Sequence, residues 1–178
     1  MGAEHVLTER LDLRRPDPVG DVAALFAIFS DPESWWYESA GRHGHSVQTR
    51  DWLTRATSRF DADGLSYWTV RLRDDDTVVG VGGAQRQRTG AWNLNYRIHT
   101  DHRGQGLATE VALTARMLAA ELDDAVPVIA WIAEHNIPSR RVAENVGLVN
   151  YGLAIDPSDN ATRLAYADRP VDGFIGQA

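Results

Sequence analysis

The chain has 178 residues, 43% of them apolar, and a formal net charge of −7. That length suits one domain, 1–178, with enough apolar content to bury a core, and the negative charge repels a phosphate backbone, so no nucleic-acid partner is expected. Cysteine is absent, which excludes a disulfide framework, a thiolate nucleophile and cysteine-ligated zinc. No apolar run reaches membrane-spanning length, so the expectations are no membrane partner and a cytoplasmic location.

Val6 to Arg14 reads as a first strand, with Leu7, Leu11 and Leu13 as its apolar members. Asp17-Pro18 has the form of a helix cap followed by proline in the first turn. Val22, Leu25, Phe26 and Phe29 then recur at helical spacing and predict one buried face before Asp31-Pro32 stops the helix. The stretch from Ser34 to His45 mixes three aromatics with glycines and two histidines, and no period covers it. It reads either as a surface loop whose tryptophans pack partly on the core, or as a substrate-facing loop in which Trp35, Trp36, Tyr37 and Glu38 meet the acceptor. His43 and His45 share a His-x-His spacing with no third ligand in view, so no metal is expected.

A second helix is predicted from Thr49 to Phe60, with Trp52, Ala56 and Phe60 in steps of four. Leu65 to Leu72 and Thr77 to Ala84 are two strands joined by a polar turn. Gly80-Val81-Gly82-Gly83 lacks the helix that a dinucleotide fingerprint needs after it, and reads as a strand with close backbone neighbours. Trp92 to Ile98 alternates, placing Trp92, Leu94, Tyr96 and Ile98 on one side and polar groups on the other. Pro127 to Ala133 is a continuous apolar run, as in a strand covered on both faces. Asn136 begins another helix that Gly147 ends, Leu148 to Ile155 and Thr162 to Tyr166 close the sheet, and a loosely held tail starts at Asp168.

The chemistry gathers at His102-Arg103-Gly104-Gln105-Gly106-Leu107-Ala108-Thr109-Glu110, a glycine loop between a strand and a helix. In that helix Leu107, Val111, Thr114 and Leu118 form the predicted buried face, with Ala108, Ala112, Ala115 and Ala119 beside it. A helix start leaves backbone N–H groups unpaired and carries partial positive charge, so it seats phosphate, and glycine lets a ligand approach.

Arg103-Gly104-Gln105-Gly106-Leu107-Ala108 resembles the Arg/Gln-x-x-Gly-x-Gly/Ala signature of the GNAT superfamily of N-acetyltransferases. Asn136-x-x-Ser139-x-Arg141-Val142-x-Glu144-x-x-Gly147-Leu148 is similar to the second motif of its Rim-type branch, which acetylates protein N-termini and other amines. The resemblance implies an α/β, GNAT-like mixed and mostly antiparallel sheet, flanked by helices, whose fourth and fifth strands splay apart to admit the pantetheine arm of acetyl-CoA. It implies an enzyme that moves the acetyl group from acetyl-CoA to a primary amine, a peptide N-terminus or a small molecule, by direct attack and without metal. The backbone from Arg103 through Gly104, Gln105, Gly106, Leu107 and Ala108 to Thr109 would hold the pyrophosphate; Tyr96, Arg97 and Ile98 would pair with pantetheine. Asn136, Ser139 and Arg141 would complete the cofactor site, Asn136 hydrogen-bonding the arm and Ser139 lying near the sulfur as proton donor.

Direct attack needs a deprotonated amine, donors near the carbonyl oxygen and a proton for the leaving thiolate. Asn136 is also a good helix N-cap, and Ser139 then an ordinary first-turn residue. Many relatives carry a tyrosine acid four residues beyond the Ser139 position, where this chain has Ala143; others carry a glutamate base near Trp92, where the neighbours are Ala91 and Asn93. Glu134, His135, His99, Glu38, His43 and His45 are bases by chemistry alone. An α-amine, with a reference pKa near ~8, needs less help than lysine. The alternative reading is a non-catalytic acyl-CoA-binding or sensing protein. The oligomeric state stays open, a homodimer among the options.

Overall fold

A computed structural model of the chain describes residues 3–172. The elements follow in the order β1 (His5–Leu7), β2 (Leu11–Arg14), α1 (Val22–Ser30), α2 (Ser46–Asp63), β3 (Tyr67–Leu72), β4 (Val78–Arg86), β5 (Trp92–Ile98), α3 (Leu107–Leu122), β6 (Val128–Ile132), α4 (Ile137–Asn145), β7 (Val149–Ile155) and β8 (Thr162–Ala167). They build one 8-stranded sheet of order β1-β2-β3-β4-β5-β6-β8-β7. Every neighbouring pair is antiparallel except β5 and β6. Val22, Leu25 and Leu53 of α1 and α2 pack with Val81 on one face. On the other face Val111, Ala112 and Ala115 of α3 pack with Trp92 and Leu94, so the α/β architecture implied by the motifs is present.

Four local expectations are corrected. The predicted first strand is a hairpin, because Thr8 closes a turn on Leu11: its N–H donates to the Leu11 carbonyl at 2.9 Å and its hydroxyl accepts from the Leu11 N–H at 3.1 Å. Helix α1 starts at Val22 and not after Pro18, since Asp17 spends its carboxylate on the Val19 N–H at 2.8 Å and folds a turn instead. Helix α2 begins before Thr49; Gln48 Oε1 accepts from the N–H groups of Gly44 and His45 at 2.7 and 3.1 Å and so secures the entry. The tail is held at its start, where Asp168 accepts from the Val128 N–H at 3.1 Å and donates its own N–H to Val128 at 3.0 Å; positions 173–178 lie outside the described residues.

The buried face of α3 also differs from expectation. Leu107, Val111, Ala112, Ala115 and Ala119 are buried, while Thr114 and Leu118 lie at its margin. The cause is Gly82 on β4: a Cβ there would stand 2.6 Å from Val111 Cγ1. Small residues on both partners bring helix and sheet close, so the alanine stripe becomes the contact and the start of α3 is carried to the edge of β5.

Candidate active site

The site begins as a gap in the sheet. In the ladder between β4 and β5, the His99 N–H donates to the Val79 carbonyl at 2.8 Å, which sets the phase of the pairing. Asn93, Asn95 and Arg97 therefore exchange hydrogen bonds with β4, and Leu94, Tyr96 and Ile98 turn their backbone groups toward β6. But β6 meets β5 only at Trp92 and Asn93. Beyond that point the Tyr96 N–H and C=O and the Ile98 N–H face open space between two diverging strands, an edge ready to pair with an extended amide-bearing chain.

At the end of that edge Gly104 (φ +75°) and Gly106 (φ +79°) take left-handed conformations that side-chain-bearing residues avoid. The turn ends on Gly106, which caps α3 without a side chain, so the N–H groups of the first helical turn stay open. Arg10 and Glu110 brace the loop from behind. Arg10 Nη1 donates to the Gln105 carbonyl at 2.6 Å, and its Nε to Glu110 Oε2 at 2.8 Å; the Thr8 hydroxyl and the Arg10 N–H donate to Glu110 Oε1 at 2.5 and 3.0 Å. Burial opposes ionisation of Glu110, but those donors prevail and hold its carboxyl below the usual range. The clamp joins residues about a hundred positions apart and carries no short-range sequence signal.

Across the gap stands the start of α4. Asn136 caps it, its Oδ1 accepting from the Ser139 N–H at 3.3 Å, and the Tyr96 hydroxyl reaches over from β5 to donate to the Ser139 carbonyl at 2.9 Å. Burial pushes the Tyr96 phenol up, so it stays a neutral donor. The Ser139 hydroxyl lies beside the Tyr96 phenol and lines the cavity. Together the loop, the edge of β5 and the start of α4 wall a cleft of about 600 Å³, with Gly104, Ala108, Ile98, Ser139 and Arg141 among its lining. A bare helix start for a pyrophosphate, followed by an open strand edge for a chain of amides, fits coenzyme A.

The family model described as the acetyltransferase (GNAT) domain matches residues 10–149. The chain belongs to the GNAT acetyltransferase family. It is an acetyl-CoA-dependent N-acetyltransferase, and acetyl-CoA is the donor of the group it transfers to an amine. Its fold is similar to that of an acetyltransferase from Agrobacterium tumefaciens (23% identity, 93% of this chain and 94% of that chain covered, TM-score 0.79). It is also similar to the ribosomal-protein-S5-alanine acetyltransferase of Vibrio fischeri (13% identity, 95% and 98% covered, TM-score 0.74). A third likeness is to RimL, a ribosomal L7/L12 alpha-N-protein acetyltransferase in complex with coenzyme A (17% identity, 94% and 98% covered, TM-score 0.70).

On the opposite face of the acetyltransferase sheet, the gap opens into a smaller chamber of about 60 Å³. Glu38, Asn95, Trp131 and Arg163 line it, and Tyr37, Tyr96, Asn136 and Ser139 are common to chamber and cleft. The aromatic loop covers this side in two short 3-10 turns, Pro32–Trp35 and Ser39–Gly41. Arg97 pins it: the buried guanidinium lies 3.4 Å from the Trp35 ring centroid, donates to the Ser34 carbonyl and to the Tyr37 hydroxyl, the latter at 2.6 Å. Burial depresses the Arg97 pKa, with Tyr37 opposing.

The predicted site residues thus divide. Gly104, Gly106 to Thr109, Tyr96, Ile98, Arg103, Asn136, Ser139 and Arg141 line the cleft, as do Trp36 and Tyr37. Glu38 lines the chamber, while Trp35 lines neither cavity, because its indole N–H donates to the Phe29 carbonyl at 2.7 Å and its ring sits over Arg97. Arg97 also borders the cleft, although its guanidinium is held by the loop and its backbone belongs to the β4 ladder. Gln105 faces Arg10 through its carbonyl. Of the bases considered, His43 is bound to Thr49 at 2.9 Å with its pKa lowered by burial, and His99 accepts from the Asp101 N–H at 3.2 Å. His135 stands against the Trp36 ring, with centroids 5.5 Å apart. Ala143, where a tyrosine acid was sought, is wholly buried in the main core. Among the described residues no group of three or more His, Asp or Glu could hold a metal ion.

Proposed function

We propose that this acetyltransferase, a single-domain cytoplasmic enzyme, modifies the α-amino group of a peptide or protein N-terminus. The observation that carries the reading is the passage through the sheet: a donor cleft on one face and a polar chamber on the other meet at Tyr96, Asn136 and Ser139. The ribosomal-protein N-terminal acetyltransferases among the similar structures support an α-amine as acceptor.

In this reading the N–H groups of residues 104 to 109 hold the pyrophosphate, with Arg141 beside it, and the open edge at Tyr96 and Ile98 holds the pantetheine amides. Asn136 Nδ2 adds a hydrogen bond to the arm, and the aromatic loop keeps water from the far side. Acetyl-CoA supplies an acyl group activated as a thioester. The Ser139 hydroxyl holds the proton that the departing sulfur needs, and the unprotonated α-amine approaches from the chamber.

The test is a thiol-release assay over peptides with free N-termini, matching peptides with blocked N-termini and a free lysine, and small amines, with mass spectrometry of the products. Acetylation at the peptide N-terminus is expected, and Ser139→Ala should lower kcat by about a hundredfold, a typical acid–base contribution, with the KM for acetyl-CoA unchanged. Exclusive acetylation of lysine or of small amines would overturn the acceptor assignment; an unchanged kcat would remove Ser139 from the chemistry.

A further inference from the structure

The chamber carries chemistry that the acceptor assignment does not use. Glu38 reaches it from the aromatic loop, and Arg163 of β8 meets one of its carboxylate oxygens, Oε1; Oε2 makes no hydrogen bond among the described residues. Arg163 is already neutralised from behind, by Asp156 Oδ2 at 2.8 Å and by Asp159 Oδ2 at 2.7 Å. Three carboxylates around one guanidinium leave the cluster two charges negative. The hydrogen bond that Arg163 donates to Asp159 is the main cause that raises its pKa, so the guanidinium holds its charge and serves as a fixed strut for Glu38. The rest of the wall is aromatic, from Tyr37 and Trp131, with the Asn95 amide between.

A carboxylate with a free oxygen set between aromatic rings is a recognition pattern for a cation. Size and donor capacity together narrow the choice. A water needs about 10–15 Å³ of such space, so a chamber of about 60 Å³ takes a primary ammonium and its first carbons, and a quaternary nitrogen of similar size has no N–H to donate to the carboxylate. The cationic groups that serve the donor lie at the other mouth, where Arg103 and Arg141 line the cleft. The two ends of the passage therefore have opposite electrostatic preference.

We infer that Glu38, held by Arg163, is the acceptor's ammonium-binding residue: the amine enters the chamber as a primary ammonium bound to Glu38 Oε2 and releases one proton to solvent before it attacks, and acceptors that are neutral or quaternary at that nitrogen are refused. The inference rests on the chamber being the acceptor side, as proposed above. Asp156 and Asp159 let Arg163 keep two partners without Glu38, so Glu38→Gln leaves the strut in place.

The decisive measurement is binding of n-propylammonium to the CoA-bound protein, followed by tryptophan fluorescence, with n-propanol and tetramethylammonium as the neutral and bulky controls. Propylammonium should bind competitively with the peptide acceptor and lose about tenfold in affinity in Glu38→Gln, with recovery in Glu38→Asp; neither control should bind. CoA affinity by calorimetry and the melting temperature should match wild type, which separates this claim from the donor-site assignment. In turnover, Glu38→Gln should raise the acceptor KM by a similar factor and leave the KM for acetyl-CoA alone. Equal binding of propylammonium and propanol, or an acceptor KM within twofold of wild type in Glu38→Gln, overturns the inference even if acetylation itself is confirmed. Wild-type protein that binds propylammonium yet acetylates no peptide would sink the acceptor proposal and leave this one standing.

Discussion

Glu110→Gln tests whether the donor loop is held from behind. The carboxylate takes four donors in the folded state, three of them from Arg10 and one from Thr8, and its side chain is 15% exposed. Glutamine keeps one acceptor but loses the charge and the second oxygen. Hydrogen bonds to charged groups contribute about 1.5–3 kcal/mol each when buried; the Arg10 side chain is 43% exposed, so its share is heavily screened. A net loss of about 1–2 kcal/mol is expected, which for a chain of this size lowers Tm by roughly 2–8 °C. The folded-state pKa of Glu110 lies below its ordinary value of 4.5. The stabilisation is therefore complete above that value and fades as pH falls through the lower folded one, so the gap in Tm between wild type and variant should narrow from about pH 7 to about pH 4. Because Arg10 also holds the Gln105 carbonyl, the KM for acetyl-CoA should rise several-fold at neutral pH. Calorimetric melts across that range and steady-state kinetics read both effects. Coincident melts at pH 7, or a gap that widens in acid, would refute the clamp.

Arg97→Met should free the aromatic loop from β5: two hydrogen bonds from a buried guanidinium are lost, at about 1.5–3 kcal/mol each before relaxation. The acceptor KM should rise about tenfold, and because Trp36 and Tyr37 also line the cleft, CoA affinity by calorimetry should fall by a smaller factor; an unchanged acceptor KM would refute the pin. Gly82→Ala puts a methyl 2.6 Å from Val111 Cγ1 and should cost about 1–3 kcal/mol, read as a lower urea midpoint, with weaker CoA binding as the start of α3 is pushed off the sheet. Asn136→Asp separates two roles of one residue. Aspartate caps a helix as well as asparagine does, so Tm should hold, whereas loss of the Nδ2 donor and a new charge in the passage should weaken CoA binding at least tenfold; equal binding would reduce Asn136 to a cap.

The order of elements and the donor loop are legible in the sequence because each rests on neighbours in the chain. Gly104 and Gly106 announce positive φ, Asn136 announces a cap, and the alternation from Trp92 to Ile98 announces a strand. What is hidden depends on local side-chain hydrogen bonds that override the pattern, or on distant partners. Thr8 breaks the first strand through a local hydrogen bond that competes with extension, and Asp17 starts a turn in place of a helix for the same reason. The buried face of α3 cannot be read from α3 alone, since Gly82 decides which side chains fit against the sheet. Arg10, Glu110 and Arg163 carry no motif at all, and their roles appear only when residues from both ends of the chain meet.

The alternation along β5 then acquires a meaning that a solvent-facing polar side would not have. Its even-numbered residues look toward the donor: Leu94 and Ile98 enter the core beneath α3, and the backbone of Tyr96 and Ile98 borders the gap. Its odd-numbered residues serve the other face, where Asn95 lines the chamber and Arg97 fastens the loop that brings Tyr37 and Glu38. One strand with a period of two thus addresses two substrates from opposite sides of the sheet. A shift of register by one residue would exchange the two sets, burying asparagine against α3 and emptying the chamber of its amide. The seven-residue ladder between β4 and β5 and the short parallel contact with β6 prevent that slip, so the pairing that opens the passage also keeps donor and acceptor on their own faces.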